Sequence, residues 1–189
     1  MRIITGSLKG RTVPFNAKRQ GTIRLTSSRL KEAVFAILGA QVHGQSFLDL
    51  CAGCGQIGLE AYSRGAQVIM NELDPRRLAC LKKLLGEWKI DGLRLERQKA
   101  QGLVRDYQQQ GKRFDYIYLD PPYNAVAAGQ SLSIAVLEQI GAQSLLEPDG
   151  VVFVQHQADL ALPANPGCLV QIRQREYGQT NLSIYQLHK

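Results

Sequence analysis

From residue 46 onward, short apolar runs alternate with stretches of helical spacing, and this alternation constrains the fold more than any other feature. Residues 47–50, 67–71, 93–97, 114–119 and 151–154 read as strands. Helices are expected near 56–64, from Asp74-Pro75 through Trp88, and over 132–142. Asp74 supplies a cap and Pro75 fits the first helical position. A closing antiparallel pair is expected at 169–175 and 182–187. The pattern predicts an α/β fold, a largely parallel sheet with helices on both faces. In such sheets ligands bind beyond the carboxyl ends of the strands, so the residues just after each strand carry the argument.

After the first expected strand the chain reads Asp49-Leu50-Cys51-Ala52-Gly53-Cys54-Gly55-Gln56-Ile57-Gly58. Gly53, Gly55 and Gly58 fit G-x-G-x-x-G, and Glu72 falls where a ribose-binding acid is expected. That pattern alone suits a nicotinamide dinucleotide or S-adenosylmethionine, since both need backbone to approach a nucleoside closely. Asp49 favours the second. A pyrophosphate wants N–H donors and positive potential, whereas S-adenosylmethionine has no phosphate and carries an ammonium and a sulfonium. Glu72 would accept the ribose hydroxyls, and Ala52 and Leu73 join the expected cofactor set. Cys51-x-x-Cys54 invites a zinc reading, but zinc needs about four ligands. No second pair completes one, and His43, His156 and His188 are scattered, so no metal is expected.

The fourth expected strand runs straight into Asp120-Pro121-Pro122-Tyr123. A given tetrapeptide arises by chance in a chain this long on the order of once in a thousand sequences. Two prolines would make a rigid turn unaided. The chemistry asks for more. An exocyclic base amine is a weak nucleophile because its lone pair is delocalised into the ring. Acceptors aimed at its hydrogens, the Asp120 carboxylate and the Pro121 carbonyl, favour a tetrahedral nitrogen and free that pair. Pro122 helps hold the turn, and Tyr123 offers a flat face on which a base can stack.

The chain carries a net charge of +7, unevenly placed. Residues 1–31 hold eight basic residues and no acid, while the other 15 basic and 16 acidic residues nearly cancel. Such asymmetry points to an anionic partner, phosphate backbones above all. Arg2, Lys9, Arg11, Arg24 and Arg29 are the candidate phosphate contacts. Ile3, Ile4, Leu8, Val13 and Phe15 argue for an ordered module over a tail, and two short strands within 2–15 predict a hairpin around Gly6–Gly10, followed by a loop. A helix capped by Ser27 or Ser28 is expected to stop at Gly39. No apolar run approaches the ~20 residues of a membrane span, no secretory segment opens the chain, and four cysteines are too few for a disulfide framework. A cytoplasmic setting is expected.

These motifs resemble the RsmD family of small-subunit ribosomal RNA guanine-N2 methyltransferases nearly end to end. The resemblance runs through Arg2-Ile3-Ile4-x-Gly6, Lys9-Gly10-Arg11, Arg24-x-Thr26-x-x-Arg29, Lys31-Glu32-Ala33-Val34-Phe35, the glycine turn with Leu59-Glu60-Ala61, Asp120 to Tyr123, and Tyr177-Gly178-x-Thr180. It implies a Rossmann-like seven-stranded methyltransferase sheet (25–189) with a small basic N-terminal extension (1–24). It also implies S-adenosylmethionine as cofactor and a guanine of 16S ribosomal RNA as target, met in a small subunit or assembly intermediate. A monomer is expected. The chain departs from the family at Leu25, Ser28 and Lys99, the last where an acid or amide often meets the adenine, which leaves adenine recognition to the Ala100 backbone. Residues 124–129 are expected to form a flexible flap over the base. The competing readings are a DNA adenine-N6 or cytosine-N4 methyltransferase, a nicotinamide-dependent oxidoreductase and a non-catalytic RNA-binding module.

Overall fold

Apolar runs become strands where expected. β1 (Ser46–Asp49) pairs in parallel with β2 (Gln67–Asn71), Asp49 opposite Met70, and β2 pairs in parallel with β3 (Arg94–Glu96). The structure, a computed structural model, describes residues 1–21, 26–143 and 145–188. β4 (Phe114–Leu119) runs parallel to β5 (Leu146–Gln157). β6 (Leu169–Tyr177) and β7 (Thr180–Leu187) form a hairpin, and β7 also pairs antiparallel with β5. The seven strands lie in the order β3-β2-β1-β4-β5-β7-β6, with helices on both faces. Among the described residues no helix is long and apolar enough to cross a membrane.

The chain divides into two compact units, Met1–Gln98 and Lys99–Lys189. The first opens on the basic segment and a short helix, α1 (Ala17–Gln20). α2 (Ser28–Leu38) is capped by Ser27, whose side chain accepts from Leu30 N–H, and it ends at Gly39 with φ 57°. α3 (Gln56–Ser63) follows the glycine turn, and α4 (Pro75–Trp88) follows the Asp74 cap, whose carboxylate accepts from the N–H groups of Arg76 and Arg77. The second unit contributes α5 (Ala100–Gln109) and α6 (Leu132–Ala142).

Three local expectations are corrected. The N-terminal hairpin has its ladder bonds, Ile3 N–H to Arg11 O and Gly10 N–H to Ile3 O, yet only one bridge, Arg2 to Thr12, so two regular strands do not form. Its apolar side chains do their expected work, with Ile3, Leu8 and Val13 buried. The loop expected after it contains α1. Within and just beyond the expected flap, Val126–Ala127 pairs with Gln130–Ser131 in a short β-hairpin. Ala128 and Gly129 both take positive φ there, as a type I′ turn demands. Finally, β5 is far longer than 151–154, because a register shift opposite Phe114 and Tyr116 carries it through Pro148-Asp149-Gly150. α5 has no counterpart among the expected elements, although Ala100, Leu103, Val104 and Tyr107 bury one helical stripe. The expected boundary between 24 and 25 lies outside the described residues.

Candidate active site

In the first unit, Asp49 closes β1 fully buried, and its Oδ2 accepts the Gly58 N–H at 3.1 Å. The carboxylate thus occupies the amino end of α3, where helix N–H groups present partial positive charge. Its Oδ1 is buried without a hydrogen-bond partner among the described residues, as is Oε1 of Gln56 in the next turn. Burial pushes the Asp49 carboxyl up to about 7, and the Glu72 charge adds to the rise, against the pull of the Gly58 and Cys51 N–H groups. Because folding raises this pKa, the ionised carboxylate subtracts stability from the ligand-free chain, in full above about pH 7 and not at all below the ordinary 3.8.

Two glycines of the turn take positive φ, Gly53 at 58° and Gly55 at 81°. Gly58 is needed for another reason: a Cβ there would lie 2.4 Å from Met70 Sδ. Ala52 is buried and its N–H donates to Asn71 O at 2.9 Å. Glu72 is buried just beyond β2. It accepts Gly53 N–H at 2.8 Å and Asp74 N–H at 2.7 Å, and Arg77 Nη2 lies 3.1 Å from Oε1. A carboxylate offers about four acceptor sites, so these three donors narrow what remains for a ribose. Leu73 is 52% exposed, an unusual position for a large apolar side chain beside buried acids.

Sequence reasoning missed Asn71, the buried last residue of β2. Its Nδ2 donates to Leu50 O and Gln98 O, both at 3.0 Å, and its Oδ1 accepts Gln98 N–H at 3.0 Å. One amide thereby ties the chain leaving β1 to the chain leaving β3. The signal was present: a polar side chain ending the run Val68-Ile69-Met70.

In the second unit, β4 delivers Asp120-Pro121-Pro122-Tyr123 at its carboxyl end. Pro121 is buried, Pro122 exposed, and Asp120 and Tyr123 half-buried. Pro122 O accepts Ala125 N–H at 2.9 Å, closing the turn, and the Tyr123 hydroxyl lies 3.1 Å from Thr180 Oγ1. Ala100 is buried at the first position of α5, after Lys99, which makes no side-chain cap.

The basic candidates of the first unit divide. Arg2, Lys9 and Arg11 are exposed around the Gly6–Gly10 turn, with Arg11 also 5.3 Å from the Trp88 ring centroid. Arg29 is exposed in the first turn of α2, where the helix dipole disfavours a cation. Arg24 lies outside the described residues. Lys31, part of the N-terminal positive excess, is instead 1% exposed and paired with Glu60 at 3.1 Å. Among the described residues no group of three or more His, Cys, Asp or Glu side chains is placed to hold a metal ion.

The family described as conserved hypothetical protein 95 matches residues 1–186. YlbH of Bacillus subtilis is 33% identical over 187 residues, covering 98% of each chain. Ribosomal RNA small subunit methyltransferase D of Haemophilus influenzae is 31% identical over 189 residues, covering 98% of this chain and 93% of its own. A hypothetical protein of Thermus thermophilus superposes with a TM-score of 0.81 at 27% identity, covering 99% of both chains. SMU.776, crystallised in complex with SAH, shares the fold, with a TM-score of 0.69 at 13% identity over 86% of this chain and 50% of that one. With a family match across almost its whole length and a named small-subunit enzyme aligned end to end, the chain belongs to the RsmD family of ribosomal RNA methyltransferases.

Proposed function

We propose that this chain transfers a methyl group from S-adenosylmethionine to the exocyclic N2 amine of a guanine in small-subunit ribosomal RNA. The observation that carries the cofactor is Asp49. Its carboxylate sits on the helix N–H that a dinucleotide phosphate would need, which counts against the nicotinamide reading. Its second oxygen is a buried acceptor in want of a donor, and an ammonium brings three. The Gly53–Gly58 turn, Glu72, the exposed Leu73 and the Ala100 backbone are the remaining candidates for holding the nucleoside. When bound, the cofactor supplies an electrophilic methyl on a sulfonium.

The residues of the second unit act on the other reactant. Asp120 accepts a hydrogen bond from the base amine, the Pro121 carbonyl takes the other, and both stabilise the positive charge that grows on nitrogen during attack. The amine would take the methyl group that the bound cofactor would supply, leaving a neutral thioether, and the surplus amine proton would pass to the Asp120 carboxylate or to water. Tyr123 supports the base by stacking. RNA is held through Arg2, Lys9, Arg11, Arg24 and Arg29, the chain acts as a cytoplasmic monomer, and the substrate is a small subunit or an assembly intermediate. The relative named as a small-subunit ribosomal RNA methyltransferase supports the choice of RNA over DNA.

Two expectations follow from these assignments. Cofactor affinity should fall on the order of tenfold between pH 7 and about pH 5.5, as Asp49 protonates, and the dependence should vanish in Asp49→Asn. Calorimetric titration across that window checks this; equal slopes in both proteins would remove Asp49 from the ammonium site. Charge reversal at Arg2, Lys9 and Arg11 should flatten the log–log salt dependence of RNA binding by roughly two to three. An unaltered slope would clear them of phosphate contact. The function itself is tested by labelled methyl transfer to naked 16S RNA, small subunits and DNA, followed by nucleoside analysis. The expected product is N2-methylguanosine from an RNA substrate. Methylated adenine or cytosine from DNA would overturn the reading.

A further inference from the structure

The segment Tyr177-Gly178-Gln179-Thr180 has no part in the chemistry above, yet its placement is specific. It is the two-residue turn between β6 and β7, with Tyr177 opposite Thr180. Gly178 takes φ 65° at the first central position, and no non-glycine residue near it has positive φ, the signature of a type II′ turn. Thr180 also lies opposite Gln157 of β5, so ladders on both sides fix its backbone. Its side chain is buried, and its Oγ1 meets the Tyr123 hydroxyl at 3.1 Å.

Tyr123 is held on a turn instead of in a strand. It sits past the end of β4 on a turn where Ala125 N–H donates to Pro122 O, and it is half-buried. Two side-chain torsions would let its ring swing away from any base laid on it. The bond at the far end of the phenol limits that swing and refers the ring to the sheet. Sites built on strands hold geometry better than sites on turns, and here a strand residue lends its rigidity to a turn residue.

We infer that Thr180 is a positioning residue for methyl transfer, holding the Tyr123 ring in the orientation that receives the target base. This rests on the function proposed above. It also gives the β6–β7 turn a reason for its form: Gly178 is the residue that lets β7 begin with Thr180 facing the phenol.

The test is a double-mutant cycle with kcat and KM measured on the RNA substrate and cofactor affinity measured separately. Thr180→Val and Tyr123→Phe each delete one end of the same bond while keeping shape. Each should lower kcat about 3- to 10-fold with unchanged cofactor affinity. The double variant should be no slower than the worse single one. Thr180→Ser keeps the hydroxyl and should stay within about twofold of the parent. Full turnover in Thr180→Val, additive losses in the double variant, or a Ser variant as slow as the Val variant would each overturn the inference. A parent chain that methylates no ribosomal RNA would instead overturn the proposed function, which keeps the two failures apart.

Discussion

Replacing Asp120 with alanine should cut methyl transfer by about 10²–10³-fold, the loss expected when one preorganised group facing developing charge is removed. Affinity for S-adenosylmethionine should stay within about twofold, because the candidate cofactor residues around Asp49 and Glu72 belong to other strands. Asp120→Asn keeps an acceptor oxygen but not its charge, so an intermediate rate is expected. Single-turnover kinetics at saturating cofactor, paired with direct binding of adenosylhomocysteine, separates the two effects. Unchanged turnover would take Asp120 out of the mechanism. A parallel collapse of cofactor binding would make it part of the cofactor site instead.

The second large effect is structural and concerns Glu60. Completely buried on α3, it accepts Ile4 N–H at 2.8 Å and Thr5 N–H at 3.1 Å, Lys31 Nζ at 3.1 Å and Arg64 Nε at 3.0 Å. Lys31 also donates to Arg2 O. One carboxylate thus joins α2 and α3 to the strand-like run bearing the exposed Arg2. Gly6 continues the attachment, since a Cβ there would collide with Ser63 O at 1.6 Å. Glu60→Ala leaves the Lys31 ammonium buried with its partner gone and strands two backbone donors, a loss of about 3–5 kcal/mol. For a chain of this size that lowers the melting temperature on the order of 10 °C. Amide exchange should accelerate first at Ile4 and Thr5. Pairing the change with Lys31→Met should recover part of the loss, as removing both charges spares the desolvation cost. A melting temperature within about 2 °C of the parent would refute this anchoring role.

Much of the architecture was legible because its signals are local. Strand–helix alternation, the Asp74-Pro75 start, the Ser27 cap with its Gly39 stop, and the placement of Asp120 just after β4 all rest on residues a few positions apart. Misreadings arose where local signals were weak or ambiguous. Pro148-Asp149-Gly150 looks like a strand end but is absorbed by a register shift within β5. Two glycines around a short turn look like a hairpin, yet Gly6 serves a contact with α3 that no local pattern announces.

The sequence by itself determined the fold class, the glycine turn with its neighbouring acids, and the motif that closes β4, since apolar period and turn chemistry act between near neighbours. Tertiary structure alone decided how polar groups are used. It turned Lys31 from a surface charge into an anchor 29 residues from Glu60, made Asn71 the tie between two strand ends, and set Thr180 against Tyr123 across 57 residues. A buried donor or acceptor must find a partner wherever the fold puts one, and sequence distance does not enter that requirement.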